Sequence, residues 1–304
     1  MAASVKDVLT LIAQIILSYF EVVFRLVFKP AKRSVERDII LVTGAGHGIG
    51  REIALAFGRL GAKIVVWDIN KEANQATADQ IFNTGGEATA YECDVTDPEA
   101  VRRVGELVRK DVGDVTILVN NAGILHGGAL LDLEDSQIKK TFAVNTLAHF
   151  WTVREFLPAM VENNYGHVVT IASMAAKMGV AYLTDYSSSK WAVYGFTESL
   201  RDEVRRMERP GIKTSIVCPH FVDTGMTKFP KLSKFERFLT PEETASAVVE
   251  GVLRQDEVIY VPSSKTLLVI LDKFLTRKAQ HLLYAFMDIG IDPQYRPTGS
   301  KKVE

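Results

Sequence analysis

Tyr186 and Lys190 stand four residues apart in the run Tyr186-Ser187-Ser188-Ser189-Lys190, and of the nine tyrosines only Tyr186 has a lysine at that spacing. Residues i and i+4 share one face of a helix, so the spacing makes phenol and ammonium neighbours. A cation beside a phenol favours phenolate, which is expected to lower Tyr186 below the usual value of about 10. A tyrosine tuned in this way can exchange a proton with an alcohol or a carbonyl. Read alone, the pair fits an ordinary surface contact equally well. Ser173 follows the apolar run HVVTIA, where an open α/β sheet places its ligands. Its hydroxyl can bond a substrate oxygen, or simply cap a turn. Asn145 lies within FAVNTLAHF, a helical pattern that disfavours asparagine, so a hydrogen-bonding task is expected of it.

A second group of residues suits a phosphate. Thr43-Gly44-Ala45-Gly46-His47-Gly48-Ile49-Gly50 links an apolar run to a helical one. Glycine lets a backbone approach a ligand closely, and the free N–H groups of a helix start favour an anion such as pyrophosphate. The spacing G-xxx-G-x-G departs from G-x-G-x-x-G, with Ile49 where a glycine would fall, and a tight connection is the alternative use. His47 is placed for an N–H contact to a cofactor, or for a local structural role. Asp68 ends the next apolar run, and a carboxylate there can accept from the ribose hydroxyls of adenosine. It would repel a 2′-phosphate, which favours NAD over NADP. Capping the helix at Lys71 is compatible with that use.

These residues need a scaffold, and the pattern supplies one. IILVT (39–43), KIVVW (63–67), a run near 88–92, VTILVN (115–120), HVVTIAS (167–173), IKTSIVC (212–218) and VIYV (258–261) alternate with amphipathic stretches. The stretches include one near 136–160 and one from about 184 to 207. Strands apolar throughout, separated by helices, predict an α/β, doubly wound Rossmann-type parallel sheet covered on both faces. No linker splits the body, so one dinucleotide-binding catalytic domain is expected over 38–262, with an amphipathic extension over 263–304.

Composition excludes several classes. In 304 residues, apolar types make up 47% and charged types 24%, ordinary globular values that leave no room for collagen, wholesale disorder or a polytopic membrane protein. The net charge of −1 makes nucleic acid a poor partner. Two cysteines, Cys93 and Cys218, form no disulfide scaffold, and no metal-ligand spacing occurs among the histidines, so no metal is expected. Each cysteine reads as a small buried hydrophobe near a strand end, and a reduced, cytosol-facing compartment follows.

Charge is uneven. Residues 1–37 hold six basic against three acidic side chains, while the remainder holds thirty against thirty-four. Within them, 8–28 read VLTLIAQIILSYFEVVFRLVF, close to the length that spans a bilayer, about 20 residues. Asp7, Thr10, Gln14, Ser18, Glu21, Arg25 and Lys29 fall on one narrow stripe of a helix, with Glu21 and Arg25 able to pair. Such a helix lies in a membrane interface, spans with its stripe against a partner, or packs on the protein's own core. Attachment to a membrane or lipid surface is the favoured expectation.

Taken together, TGAGHGIG, Asn120-Asn121-Ala122-Gly123, Asn145, Ser173 and YSSSK occur in the order and spacing of the short-chain dehydrogenase/reductase family, which the chain strongly resembles over about 38–262. The resemblance implies that Tyr186 is the acid/base, and that Lys190 tunes it and binds the nicotinamide ribose. It implies that Ser173 orients the substrate oxygen and that Asn145 holds a water in a proton relay. Gly44, Gly46, His47, Gly48, Ile49, Gly50, Asp68 and Asn121 are then cofactor-binding residues, and Asp94, in CDV, looks like the residue near the adenine. His220 after Pro219 departs from the glycine common there. With its apolar N-terminus, the chain is similar to a membrane-associated subgroup of epidermal-type retinol dehydrogenases and lipid-droplet 17β-hydroxysteroid dehydrogenases. That similarity implies NAD-dependent interconversion of a lipophilic alcohol and its carbonyl, a retinoid or a steroid, at the endoplasmic reticulum membrane or a lipid droplet. It also implies a homodimer with its catalytic domain facing the cytosol. The rival readings are an NADPH-preferring carbonyl reductase and a catalytically weak lipid-droplet scaffold.

Residues 224–240, TGMTKFPKLSKFERFLT, interleave Phe229, Leu232, Phe235 and Phe238 with Lys228, Lys231, Lys234 and Arg237. They read as a substrate lid touching an anionic lipid surface, or as a solvated helix. His126, just past the Asn-Asn-Ala-Gly turn, lines the pocket or serves locally.

Overall fold

The computed structural model describes residues 4–28, 30–227, 230–231, 237–287 and 290–292, with backbone alone for residues 5, 21–27, 230, 231 and 290. Met1–Arg33 and Ser34–Glu304 form two units. The first consists chiefly of α1 (Val5–Val27). Ser4 and Asp7 cap its start: the Asp7 carboxylate accepts from Ser4 N–H at 2.8 Å, and Ser4 Oγ accepts from Asp7 N–H at 3.2 Å. Between Val8 and Phe20 its large apolar side chains are exposed, Leu17 by 65% and Tyr19 by 70%. Among the described residues no helix is long and apolar enough to cross a membrane. The expected Glu21–Arg25 pair falls on side chains outside the described set.

In the second unit β-branched runs become strands, and amphipathic runs become the helices that cover them. In chain order these are β1 (Ile39–Thr43), α2 (Gly48–Gly58), β2 (Lys63–Asp68), α3 (Lys71–Asn83), β3 (Glu87–Glu92), α4 (Pro98–Asp111), β4 (Ile117–Asn120), α5 (Asp135–Phe142), α6 (Ala148–Asn163), β5 (Gly166–Ile171), α7 (Thr184–Arg206) and β6 (Ile212–Pro219). The rest are β7 (Pro230–Lys231), α8 (Pro241–Arg254), β8 (Val258–Val261), α9 (Lys265–Asp272), α10 (Arg277–Met287) and β9 (Gly290–Ile291). Seven strands pair in parallel in the order β3-β2-β1-β4-β5-β6-β8. Alternation along β1 sends Ile40 and Val42 to one face, with Phe57 of α2, Ile81 of α3 and Val248 of α8, and Leu41 to the other, with Val104 of α4, Phe156 of α6 and Leu200 of α7. Both faces are therefore buried, as the near-continuous apolar strands require. The order reverses between β1 and β4, and their carboxyl ends open the crevice in which such sheets bind ligands.

Local chemistry sets the helix starts. The side chains of Asn70 and Asp97 accept from the first turns of α3 and α4, and Thr240 with Glu243 forms a capping box on α8. The single helix expected near 136–160 is instead α5 and α6 joined by a π turn at Ala143–Leu147. Asn145 sits in that turn and bonds outside its own helix, which accounts for the widened spacing. A two-stranded antiparallel pair, β7 with β9, was not foreseen; it ties the segment after β6 to the C-terminal region.

Candidate active site

The carboxyl ends of β1, β4, β5 and β6 surround a cavity of about 540 Å³. Its wall includes Gly44, His47, Gly48, Ile49, Asp68 and Asn121 at one end and Ser173, Tyr186 and Lys190 at the other. Gly46, Gly50, Asp94 and Asn145 are not in that wall.

The glycine turn is built to be bare. Gly44 has φ +64°, and a Cβ there would lie 2.8 Å from Ala122 Cα. A Cβ on Gly50 would fall 2.3 Å from both Asn121 Nδ2 and the Gly44 carbonyl oxygen. Gly46 lies against Asp68 and donates its N–H to Asp68 Oδ2 at 2.9 Å, while Asp68 Oδ1 accepts from Asn70 N–H at 2.8 Å. Asn121 Nδ2 donates to the carbonyls of Thr43 and Gly44 at 2.9 and 3.1 Å, holding the turn from the β4 side. His47 is the N-cap of α2, yet its side chain makes no capping bond and the first turn has no acid. The first N–H groups of α2 thus have no side-chain cap, and Gly48 and Ile49, which carry two of them, line the cavity, where an anion could accept from them. A pyrophosphate against Gly48 and Ile49, with a ribose at Asp68, fits this cradle. Asp94, two residues beyond β3, spends Oδ1 on Thr96 N–H and Oγ1 at 2.9 and 2.7 Å.

At the other end Ser173 caps the short turn after β5, accepting from Ala175 N–H at 3.1 Å. Its hydroxyl, like the Tyr186 phenol, lines the cavity, and its proximity acts to favour the phenolate. Lys190, 3% exposed, donates to the Ile171 carbonyl at 2.9 Å, and its Nζ lies 5.7 Å from the centre of the Tyr186 ring. The expected lowering of Tyr186 is not what the structure shows. Burial pushes the phenol up to about 12, against a smaller opposing effect of Ser173, and pulls Lys190 down to about 8. Desolvation is the largest effect on both groups. Asn145 is fully buried; Oδ1 accepts from Ile124 N–H at 2.8 Å, and Nδ2 donates to the Ile124 carbonyl and Ser189 Oγ at 2.9 and 3.0 Å. Both hydrogens of its amide nitrogen are thereby used.

Apolar residues complete the wall, among them Leu125, Met174, Met178, Leu183, Phe221 and Met226. Sequence reasoning missed these, because nothing in their types separates them from core; only their positions past strand ends carry a signal. His220 lines the cavity and packs edge-on against Phe221, with ring centres 4.9 Å apart. From the segment 224–240, Thr224, Gly225, Met226 and Thr227 reach the wall, whereas Phe229, Leu232, Phe235, Lys228 and Lys234 lie outside the described residues. His126 is not in the wall. Cys93 and Cys218 are free and buried, each thiol pushed up to about 12 by burial.

Behind Lys190, His149 is 2% exposed, and Nδ1 has no hydrogen-bond partner. Burial, reinforced by the Lys190 charge, pulls its pKa down to about 3. In the unfolded chain it would titrate near 6.5. Its contribution to stability is thus full above about pH 6.5 and is lost as pH falls toward 3, by about 1.5 kcal/mol between pH 6.5 and 5. Urea denaturation at both pH values is expected to show a shallower loss for His149→Gln than for the unaltered chain; equal losses would refute the assignment.

A family model for short chain dehydrogenases matches residues 38–233. Estradiol 17-beta-dehydrogenase 11 of Mus musculus is 40% identical over 286 residues, covering 94% of this chain and 96% of that one. Epidermal retinol dehydrogenase 2 of Mus musculus is 42% identical over 294 residues, covering 94% of each. Among solved structures, a short chain dehydrogenase/reductase from Burkholderia phymatum in complex with NAD superposes with a TM-score of 0.71 at 26% identity, over 78% of this chain and 93% of that one. A metagenomic short-chain oxidoreductase in complex with NADP gives 0.64 at 30% identity, over 75% and 96%.

Proposed function

The chain belongs to the short chain dehydrogenase family, and we propose that this oxidoreductase, which uses a nicotinamide dinucleotide, takes NAD and oxidises a lipophilic secondary or allylic alcohol of the steroid or retinoid class at a lipid surface. One observation carries the reading: the bare glycine turn, Asp68, Ser173, Tyr186 and Lys190 converge on a single cavity whose remaining wall is largely apolar.

Each residue has a task that its surroundings define. Gly44, Gly48 and Ile49 offer backbone to a pyrophosphate, and Asp68 accepts from ribose hydroxyls while repelling a 2′-phosphate. The bound nicotinamide supplies the hydride acceptor. Ser173 donates to the substrate oxygen and so orients the reacting carbon. In its phenolate form, Tyr186 Oη accepts the hydroxyl proton as the carbonyl forms. Lys190 contributes positive charge close to the phenol and to the ribose region, and its bond to Ile171 fixes it there. Since burial favours the protonated phenol, oxidation is expected to quicken as pH rises above neutrality.

Support for the lipid surface comes from α1, whose exposed apolar side chains are ones that water disfavours. Each large one transferred into an interface contributes on the order of 1–2 kcal/mol. The proposal includes an interfacial helix at the cytosolic face of the endoplasmic reticulum or of a lipid droplet, and a homodimer as the assembly. Leu9→Glu with Leu17→Glu is expected to abolish co-flotation with phosphatidylcholine–phosphatidylserine vesicles; undiminished flotation would exclude α1 as the contact.

The functional reading is tested by steady-state oxidation of all-trans-retinol and of estradiol with NAD and with NADP. NAD is expected to be preferred. In Asp68→Ala, loss of charged hydrogen bonds should weaken NAD by about 10–100-fold and narrow the gap to NADP. Preference for NADP in the unaltered chain would favour the reductase reading, and turnover of neither alcohol would favour another substrate or the scaffold.

A further inference from the structure

Two rungs of side chains fasten the loop that leaves β4 to α5 and α7. The first is the Ile124–Asn145–Ser189 set described above. The second lies one helical turn away along α7: Thr141 Oγ1 donates to Asp185 Oδ2 at 3.0 Å and joins His126 Nδ1 at 2.9 Å. Asp185 and Ser189 are an i, i+4 pair on α7, while Thr141 lies in α5 and Asn145 in the π turn that follows it, so both rungs reach one face of α7 from the same stretch of chain. Thr141 is fully buried and Asp185 is 4% exposed.

The single hydroxyl hydrogen of Thr141 goes to Asp185, so in the bond between His126 Nδ1 and Thr141 Oγ1 the hydrogen comes from the ring. The arrangement is costly for a purely structural contact. Thr152 and Thr197, also buried, satisfy their hydroxyls in part by bonding the carbonyl four residues back, at 3.1 and 3.0 Å, whereas Thr141 is turned outward to a buried carboxylate. Oδ1 of that carboxylate has no partner among the described residues. What the rung holds is specific. Its loop end adjoins Ile124 and Leu125, which line the cavity, and its helix end adjoins Tyr186.

We propose that His126, Thr141 and Asp185 form a positioning relay that fixes the alcohol-facing wall against Tyr186, and so governs the fit of the bulky alcohol rather than of the cofactor. The selectivity part rests on the reading of the cavity as an alcohol site; the tether itself does not.

The test uses the full chain in detergent, unaltered and as Thr141→Val, Thr141→Ser and His126→Phe. Amide hydrogen exchange over 122–128 is read in each, with KM and kcat for estradiol and retinol and the Kd for NAD. Loss of one buried hydrogen bond should raise loop exchange and alcohol KM by about tenfold in Thr141→Val. NAD affinity should stay within about twofold, and the hydroxyl of Thr141→Ser should restore both loop exchange and KM. His126→Phe alters a half-buried side chain without emptying the core, and should loosen the loop equally if Thr141→Val folds poorly. Unchanged loop exchange in both variants, no rescue by serine, or equal losses of alcohol and NAD binding would each overturn the proposal. If the unaltered chain oxidises neither alcohol, the functional reading fails, and exchange alone then decides the tether.

Discussion

Replacing Tyr186 with phenylalanine is expected to lower kcat for alcohol oxidation by about 10²–10⁴-fold, the usual contribution of a positioned acid/base, while NAD still binds. The ring of Tyr186 is part of the cavity wall, and phenylalanine preserves that shape. What disappears is the oxygen that takes the substrate proton. KM should therefore change little, since the interaction removed belongs to the transition state. Kinetics and NAD titration on one preparation check this. A variant retaining more than about a tenth of the rate would mean that another group accepts the proton.

Gly50→Ala is expected to abolish cofactor binding and to lower stability by about 1–3 kcal/mol, the range for forcing an atom into a packed site. Its Cβ would meet the Gly44 carbonyl oxygen and Asn121 Nδ2 at 2.3 Å. The carbonyl is backbone of the very turn that receives phosphate, and Asn121 clamps that turn through two bonds. Relief of the clash must therefore deform the cradle. Gly195 supplies the contrast: it is exposed in α7, and nothing lies within 4 Å of a Cβ placed there. Gly195→Ala should bind NAD normally and gain stability from alanine's helix propensity, up to about 1 kcal/mol. Melting curves with and without NAD separate the two outcomes. Equal behaviour of both variants would show that the turn tolerates a side chain.

Periodicity sufficed for the sheet because its physical cause is local. Strands such as IILVT and ILVN are buried on both faces, and that demand is written in consecutive β-branched residues. Asp68, Ser173, Tyr186 and Lys190 were legible because the ends of parallel strands and the i, i+4 spacing place them without knowledge of the long-range packing. The Tyr186 pKa was not. Its direction depends on how far burial excludes water from the phenol, which is a tertiary fact. Likewise the π turn arises from bonds between Asn145 and residues 21 and 44 positions away, which no local window contains. The apolar wall and the His126–Thr141–Asp185 rung escaped for the same reason: their residue types are ordinary, and only their juxtaposition is informative. Asp94, named from its motif, accepts from Thr96 through Oδ1.

The most direct measurement offers the enzyme NAD and retinol, and separately estradiol, carrying deuterium on the carbinol carbon, and weighs the reduced cofactor by mass spectrometry. The expected result is one deuterium in the cofactor for each carbonyl formed, with no labelled cofactor from Tyr186→Phe beyond its residual rate. Carbonyl product without label in the cofactor, or no carbonyl from either alcohol while NAD binds normally, would contradict hydride transfer from a lipophilic alcohol to NAD in this cavity.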